Sequence, residues 1–559
     1  MYFVLQCNMT ILEQSFYGFK WIYYKNNTKT QLDHLFCNSN LIEYDLKRDL
    51  QTFWPKEGDI PDINKGIEII TNALVNNEKI GIVGDYDVDG SSATGLLIAY
   101  FTRINLNFVY HIPNRFTEGY GVSPPVLQKL IDQNIDIIIT VDNGTTAYEA
   151  IDFAKKHNKK MIILDHHHLQ DEISVDAFIN PHRNNKGFEI LCATGIVFIF
   201  LVELNRHLFQ NKIITQKITM FDYIDVAAVA TICDVMPMIN INRAIVYEGI
   251  KKINLNPRPV YKLILQDYLG FIDVQTIGFQ LGPCINAPGR LGSANRAVEA
   301  VFTEDLTESK TIAADLINMN LERREIQKSV LEESLKQIEN GDFINKKSIV
   351  VFGHWFEGVI GIIAGRLKDK YNKPVCVLTE NQGLWKGSLR SVKGFHVGNM
   401  VHDAIKANIA EIGGGHDMAG GISLKKENLT SFIDFFETEV NKNNIPIKTE
   451  LIIDTIVSIS AIGKLMDALE LFMPFGPNNE SPLLMFPGCI IKQKRHIKNS
   501  ILLIFQNASM DYDLSCWIFN AELKIIDTLK QGQKIDIVGY INNNKGKYSF
   551  SIIDFNIII

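Results

Sequence analysis

The stretch Gly81-Ile-Val-Gly-Asp-Tyr-Asp-Val-Asp-Gly-Ser-Ser-Ala-Thr-Gly-Leu-Leu97 decides the fold. The apolar run Ile80 to Val83 reads as a buried strand. Three carboxylates follow it, Asp85, Asp87 and Asp89, and Gly90 then turns the chain into an apolar helix. Alternate residues of an extended segment point to one side, so the three carboxylates are placed to converge. Packed anions repel one another, and a divalent cation relieves that repulsion. The plain alternative is a solvated acidic turn. An EF-hand loop also opens D-x-D-x-D-G, but its twelfth position would be Leu96 where a bidentate Glu is needed. A strand also precedes the motif, where an EF-hand has a helix.

Outward from this motif, to about Pro237, apolar runs of strand length alternate with helical patterns. The strands are Ile80–Val83, Phe108–Ile112, Ile135–Val141, Met161–Leu164 and Ala177–Ile179. The helices are Ser92–Arg103, Pro124–Gln133, Ala147–His157, Gly195–Leu208 and Met220–Ile232. Such alternation predicts a mostly parallel sheet with helices on both faces, and ligands at the carboxyl ends of its strands. Ile137 to Val141 ends in Asp142. Met161 to Leu164 ends in Asp165-His166-His167-His168, and the helical run Ala227 to Cys233 ends in Asp234. Four separate apolar segments thus deliver acid or imidazole at their carboxyl ends, a coincidence that points to a metal site. Carboxylate and imidazole without thiolate suit Mn²⁺ or Mg²⁺ better than zinc.

At 559 residues the chain has room for several domains, and 46% hydrophobic with 21% charged residues is ordinary globular composition. The net charge of -7 argues against wholesale coating of nucleic acid but leaves room for a local basic channel. The 8 cysteines are scattered and form no C-x-x-C, which fits reduced thiols in a cytoplasmic protein. Residues 1–12 lack a basic flank and a cleavage site, and no apolar run of about eighteen residues occurs, so neither a signal peptide nor a membrane span is expected.

Five parts are expected: a leader with a helix at 1–75, an α/β domain at 76–240, and a connector at 241–340 ending in the charged helical stretch Asp305 to Asn340. A second α/β domain follows at 341–447, and a strand-rich domain at 448–559. In the second α/β domain, strand Ser348–Phe352, helix Ile360–Asp369 and strand Val375–Leu378 lead to Gly-rich stretches at 387–394 and 413–421. These read as turns that place Ser388, Arg390 and His416 beside exposed backbone N–H groups suited to a phosphate. The last domain shows strand runs Leu483–Gln493, Ser500–Phe505, Leu514–Phe519, Lys534–Ile541 and Tyr548–Ile559, with a helix around Glu522–Lys530. A small barrel of the oligonucleotide-binding type fits, with Lys492, Lys494, Arg495, His496 and Lys498 as local positive charge.

Gly84-Asp-Tyr-Asp-Val-Asp-Gly90, Val141-Asp-Asn-Gly144, Asp165-His-His167 and Asp234 resemble the motif set of the DHH phosphoesterase superfamily. Further stretches in matching order resemble its bacterial RecJ single-strand-specific exonuclease family: Ile112 to Gly121, Gly282 to Gly292, Gly358 to Ile362, Gly387 to Ser391, Gly413 to Asp417 and Pro474 to Asn478. The resemblance implies a DHH domain, a DHHA1 domain and an OB-fold barrel. It also implies two ions, one on Asp85, Asp87 and Asp142, the other on Asp89, Asp142, His166 and Asp234. His167 would act on the phosphoryl or leaving oxygen, Asp165 would orient an imidazole, and His168 is a bystander. Arg115, Arg290 and Arg390 would grip the terminal phosphate, Tyr120 would stack on a base, and Ser388 and His416 would contact the backbone. The implied activity is 5′→3′ hydrolysis of single-stranded DNA to 5′ mononucleotides in recombination and repair, by a monomer working with single-strand-binding protein and a helicase. Cys284 and Phe356 stand where relatives often carry Arg and His. A small-substrate DHH phosphodiesterase and a non-catalytic DNA-binding scaffold are the alternatives. The first generally lacks the barrel, and the second loses ligands that this chain keeps.

Overall fold

The computed structural model describes residues 8–12, 15–17, 19–25, 47–119, 121–171, 173–268, 270–341, 343, 345–443, 450–497, 500–505, 514–519, 528–544 and 547–558. They form two compact units, Met1–Ala314 with Thr449–Ile559, and Asp315–Lys448.

The first unit is built on a parallel sheet of five strands in the order Phe108–His111, Ile80–Val83, Ile137–Val141, Lys160–Leu164 and Ala177–Ile179. Its central strands are short, apolar and rich in β-branched residues, as strands covered on both faces must be, while the edge strand Phe108–His111 is half-buried. Ile80, Ile82, Ile137 and Ile139 enter one core with the helices Val88–Arg103, Ala193–Gln210 and Ile224–Cys233. Val83, Ile138 and Ile163 enter a second core with Pro124–Ile131 and Tyr148–Lys156, on the other face. The expected strands and helices of this domain are all present, with ends shifted by a few residues.

The same unit holds a closed barrel of five strands: Leu484–Ile497, Ser500–Phe505, Leu514–Ile518, Lys534–Asn544 and Lys547–Ile557. Pairing of the first with the fourth closes it. The expected helix at Glu522–Lys530 falls mostly outside the described residues, as does Lys498. An N-terminal hairpin, Asn8–Leu12 with Lys20–Lys25, joins Glu450–Ile452 in a three-stranded sheet against the barrel. Trp21 is fully buried there, and its Nε1 donates to Asp554 Oδ2 at 2.7 Å.

Barrel and parallel-sheet domain meet through two arginines. The helix Ile462–Phe472 packs on the barrel core, and its last carbonyls need donors. Arg243, fully buried, donates to Leu471 O at 2.7 Å and Met473 O at 3.2 Å. Arg48 donates to Glu470 O at 2.8 Å and lies over the Tyr247 ring. Cations at a helix C-terminus also complement its dipole.

In the second unit the sheet order is Ile412–Gly415, Ala419–Lys425, Leu384–Arg390, Val375–Asn381 and Ile349–Gly353, flanked by Glu357–Tyr371, Val397–Lys406 and Leu429–Lys442. The Gly-rich stretches at 387–394 and 413–421 are mainly strands, contrary to the turns expected from their glycines. Gly387 pairs with Ile422, and Gly413 pairs with Ile422 from the other side. Most of their backbone N–H groups are therefore committed to ladders, and only 391–394 and 416–418 turn. The charged helix is present as Leu306–Asn340. No described helix is long and apolar enough to cross a membrane.

The buried arginine makes the barrel contact testable. Arg243→Met keeps most of the volume but removes the donors to two carbonyls. It should lower unfolding stability by roughly 1.5–3 kcal/mol, the range for hydrogen bonds to charged groups. Urea titration of the whole chain reads this directly, and an unchanged midpoint would assign the contact no stabilising role.

Candidate metal centre

The strand order reverses at Ile80–Val83 and Ile137–Val141, which are neighbours in the sheet. Chains leaving these two strands diverge to opposite sides and open a crevice at their carboxyl ends. Asp85 and Asp87 follow the first strand and Asp142 follows the second, so the three face one another across it. Among the described residues, three groups bring ligand atoms within 4.8 Å of one another: Asp85 with Asp87 and Asp142, Asp89 with His166 and Asp234, and Asp142 with His166 and His167.

Local structure explains why the motif divides. Asp87 is the N-cap of Val88–Arg103 and accepts from Gly90 N at 3.0 Å. Asp89 is therefore already helical. It does not share an extended face with Asp85 and Asp87, as simple alternation would have it. Its two oxygens accept from Ala193 N at 2.7 Å and Thr194 N at 2.8 Å, the first turn of the helix Ala193–Gln210. Amides at a helix N-terminus are well suited to hold a buried carboxylate. Only glycine fits at position 90, because a Cβ there would lie 2.6 Å from Asp85 N.

Asp142 has φ 60°, a left-handed conformation that Asp adopts more readily than most residues. The Asn143 amide donates to Val141 O at 2.9 Å and Val83 O at 3.4 Å, stitching the two strand ends on which the acids depend. His166 Nε2 stands 3.2 Å from Asp142, 3.6 Å from Asp234 and 3.8 Å from Asp89. Asp165 is different. It accepts from His166 N at 2.8 Å, His167 Nδ1 at 2.7 Å and Thr145 N at 3.0 Å, so its lone pairs are used within the protein. Asn180 continues this support, donating to Thr145 Oγ1 at 3.1 Å and His167 O at 2.9 Å. The His168 ring packs at a tilt against His182, with centroids 4.3 Å apart, and belongs to none of these groups of ligands.

The electrostatics follow from the packing. Burial, then the neighbouring Asp87, pushes Asp85 up to about 8. Burial with Asp89 and Asp87 does the same to Asp234, also to about 8. Asp87 and Asp142 rise for the same reasons. Asp165 goes the other way: burial would raise it, but its bonds from His167 and Thr145 hold it well below the usual carboxylate range. Burial opposes charge on His167, yet Asp165 outweighs it and raises the ring to about 9.

A divalent cation fits these residues. Asp85 Oδ1 and Asp234 Oδ2 are buried without a hydrogen-bond donor, as oxygens awaiting a cation would be. The donors are carboxylate oxygen and imidazole nitrogen. Burial keeps the nearby Cys192 and Cys233 thiols protonated, the latter raised to about 12. An oxygen-rich set of this kind suits Mn²⁺ or Mg²⁺.

Cations line one side of the cluster. The Arg115 guanidinium lies 4.8 Å over the Tyr86 ring, and Arg290 occupies the last turn of the helix Gly282–Leu291. That helix approaches Tyr86 closely because position 289 is glycine; a Cβ there would lie 2.1 Å from Tyr86 O. The Asn114 amide donates to Gly292 O, pinning the Arg115 loop to the helix of Arg290. Cys284 is buried in the same helix. Tyr120 lies outside the described residues. In the second unit Ser388 and Arg390 alternate on one strand and face Gly361, while His416 sits in the turn before Ala419–Lys425, 3.1 Å from Asp417. Tyr86, Asn143, Thr145 and Asn180 were not singled out from the sequence. Asn180 follows a strand end and obeys the same rule that found the acids.

Residues 79–231 match the DHH family, N-terminal domain, residues 345–442 the DHHA1 domain and residues 453–552 the RecJ OB domain. The single-stranded-DNA-specific exonuclease RecJ of Haemophilus influenzae is 30% identical over 396 residues, which span 68% of this chain and 69% of that protein. Its namesake from Salmonella typhimurium is 28% identical over 545 residues, 91% of this chain and 92% of that one. In fold, the chain is similar to the crystal structure of RecJ in complex with Mn²⁺ from Thermus thermophilus, with a TM-score of 0.76 at 23% identity over 92% of this chain and 74% of that one. Three matched domains in this order, and a relative 30% identical over 69% of its own length, lead to one conclusion: the chain belongs to the RecJ family of single-stranded-DNA-specific exonucleases.

Proposed function

We propose that the chain is a metal-dependent exonuclease specific for single-stranded DNA that runs 5′→3′, releases 5′ mononucleotides and serves recombination and repair. The observation that carries this reading is the pair of ligand groups at the sheet's crevice, Asp85, Asp87 and Asp142 for one ion and Asp89, His166 and Asp234 for the other, with Asp142, 3.2 Å from His166, proposed to serve both. Mn²⁺ or Mg²⁺ bound there would neutralise phosphodiester oxygens and activate the attacking water. His167, kept charged by Asp165, would offer its proton to the phosphoryl or leaving oxygen. Arg115 and Arg290, facing Tyr86, would hold the terminal phosphate, a role for which a planar guanidinium is well shaped. Ser388, Arg390 and His416 would contact the backbone of the strand. The barrel, with Lys492, Lys494, Arg495 and His496, would hold the single strand. Single-strand-binding protein and a helicase as partners, a monomeric state and a cytoplasmic location belong to the same reading. The five-part division at 75, 240, 340 and 447 is retained as its domain plan.

A small-substrate phosphodiesterase would cleave a dinucleotide at least as well as a long strand. The exonuclease should prefer the long strand and release mononucleotides processively along it. Comparing the two substrates with Mn²⁺ present decides between them, and a preference for the dinucleotide would overturn the reading.

Asp142→Asn retains a side chain that tolerates φ 60° while removing the charge proposed to be shared by both ions. Residues that merely support metal ligands cost about 10–100-fold when lost, so hydrolysis by this variant should fall by more than about a hundredfold. In chelator its thermal midpoint should equal or exceed that of the parent, because one of several mutually repelling carboxylates is gone. Near-parental cleavage would remove Asp142 from both ligand sets.

The arginines predict a preference for a 5′-phosphate over a 5′-hydroxyl end. Each charge-assisted contact is worth roughly 1.5–3 kcal/mol, about ten- to a hundredfold. Arg115→Ala should shrink the ratio of rates on the two ends, and Arg115→Lys should recover it only partly. An unchanged ratio would mean that Arg115 serves only to pack on Tyr86.

A further inference from the structure

We infer that Glu118 is a positioning residue: it closes the turn that carries Arg115 and leaves that guanidinium unpaired for the terminal phosphate of the strand. The inference rests on the reading of Arg115 above and adds the residue through which that contact is set.

Arg115 lies in a short turn just past the carboxyl end of the strand Phe108–His111. The turn is closed in both directions. Glu118 N donates to Asn114 O at 2.8 Å, and Asn114 N donates back to Glu118 Oε2 at 2.8 Å. The Asn114 side chain accepts from Phe116 N at 2.9 Å. These bonds satisfy backbone groups that a bare turn would leave to water, and they fix the backbone on both sides of Arg115. Glu118 also fastens the turn to its neighbours. Its Oε1 lies 2.9 Å from His111 Nε2, at the end of the preceding strand, and accepts from Lys129 Nζ at 2.7 Å, on the following helix Pro124–Ile131. The side chain is only 15% exposed. Burial opposes its charge, yet Asn114 N–H, Lys129 and His111 outweigh burial and hold the carboxyl down to about 2.

The same bonds decide what Arg115 does not touch. Glu118 is three residues along, within reach of a guanidinium across a single turn. With both its oxygens engaged elsewhere, it leaves Arg115 alone, and among the described residues no carboxylate pairs with Arg115. The guanidinium instead lies 4.8 Å from the Tyr86 ring centre and 5.8 Å from that of Phe116. Aromatic faces hold a cation without neutralising it, so its charge remains for an incoming anion. The acid of this turn thus orders a cation that it does not quench, and its loss would loosen Arg115 without touching the metal ligands.

The test uses two thymidine oligomers of equal length, one with a 5′-phosphate and one with a 5′-hydroxyl. Equilibrium binding of each is measured on the whole chain in EDTA, where no hydrolysis intervenes. The parent should favour the phosphorylated end by about ten- to a hundredfold. Glu118→Ala should bring the two affinities within about threefold, and Glu118→Gln, which keeps an acceptor for Asn114 N, should retain an intermediate ratio. In an Arg115→Ala background, Glu118→Ala should change the ratio no further, because Glu118 acts through Arg115. With Mn²⁺, Glu118→Ala should raise KM for the phosphorylated strand while kcat stays within about twofold. A folded Glu118→Ala protein with the parental ratio would overturn the proposal and leave the reading of Arg115 standing. So would a loss that simply adds to that of Arg115→Ala, as a general weakening of the fold would give. A parent that does not distinguish the two ends would overturn both.

Discussion

Repulsion among buried carboxylates is the constraint on which the rest of the first unit depends. Asp85, Asp87, Asp89, Asp142 and Asp234 share one crevice, and four of them are raised above the normal carboxylate range. Such a cluster persists only if the scaffold is rigid and supplies donors wherever it can. Short parallel strands buried on both faces provide the rigidity. The Gly90 amide, which donates to Asp87, and the first turn of Ala193–Gln210, which donates to Asp89, provide the donors. What these leave unsatisfied, such as Asp85 Oδ1, defines where a cation belongs.

The two histidines show how finely the same crevice sorts similar groups. His166 is surrounded by three acids yet is lowered, because burial dominates and His167 adds a second ring beside it. A neutral imidazole is what a ligand must be. His167, one residue on, is bonded to Asp165 and raised, which suits the proton donor proposed above. Burial thus lowers one ring while a single carboxylate raises the next, so adjacent residues shift in opposite directions.

Much of this was legible in the sequence, for physical reasons. Apolar runs of strand length ending in acid or imidazole pointed to Asp85, Asp87, Asp142 and His166, and the helical run Ala227 to Cys233 pointed to Asp234, before any fold was known. Asp89 was named too, but its orientation was not, because the sequence does not say that Asp87 caps the helix and ends the extended run one residue earlier. The glycines at 387 and 413 misled, since glycine is equally at home in a turn and in a strand that passes close beside another backbone. Tyr86 escaped notice because its role lies in supporting Arg115, which sits nearly thirty positions along the chain. The amides of Ala193 and Thr194 could not have been found at all: every residue but proline has one.

The contact between Trp21 and Asp554 has a bearing on how the chain is made. These residues are 533 positions apart, and Tyr17 N reaches the same carboxylate, while the Phe16 ring stacks on Phe555. The hairpin that leaves the ribosome early cannot bury its tryptophan until the strand Lys547–Ile557 has emerged. During synthesis, therefore, the parallel-sheet domain can assemble from neighbouring segments while the hairpin waits with an apolar face open to water. The nascent chain can thus complete its carboxylate-lined crevice well before this hairpin finds its place, and the hairpin's apolar face needs shielding while translation proceeds.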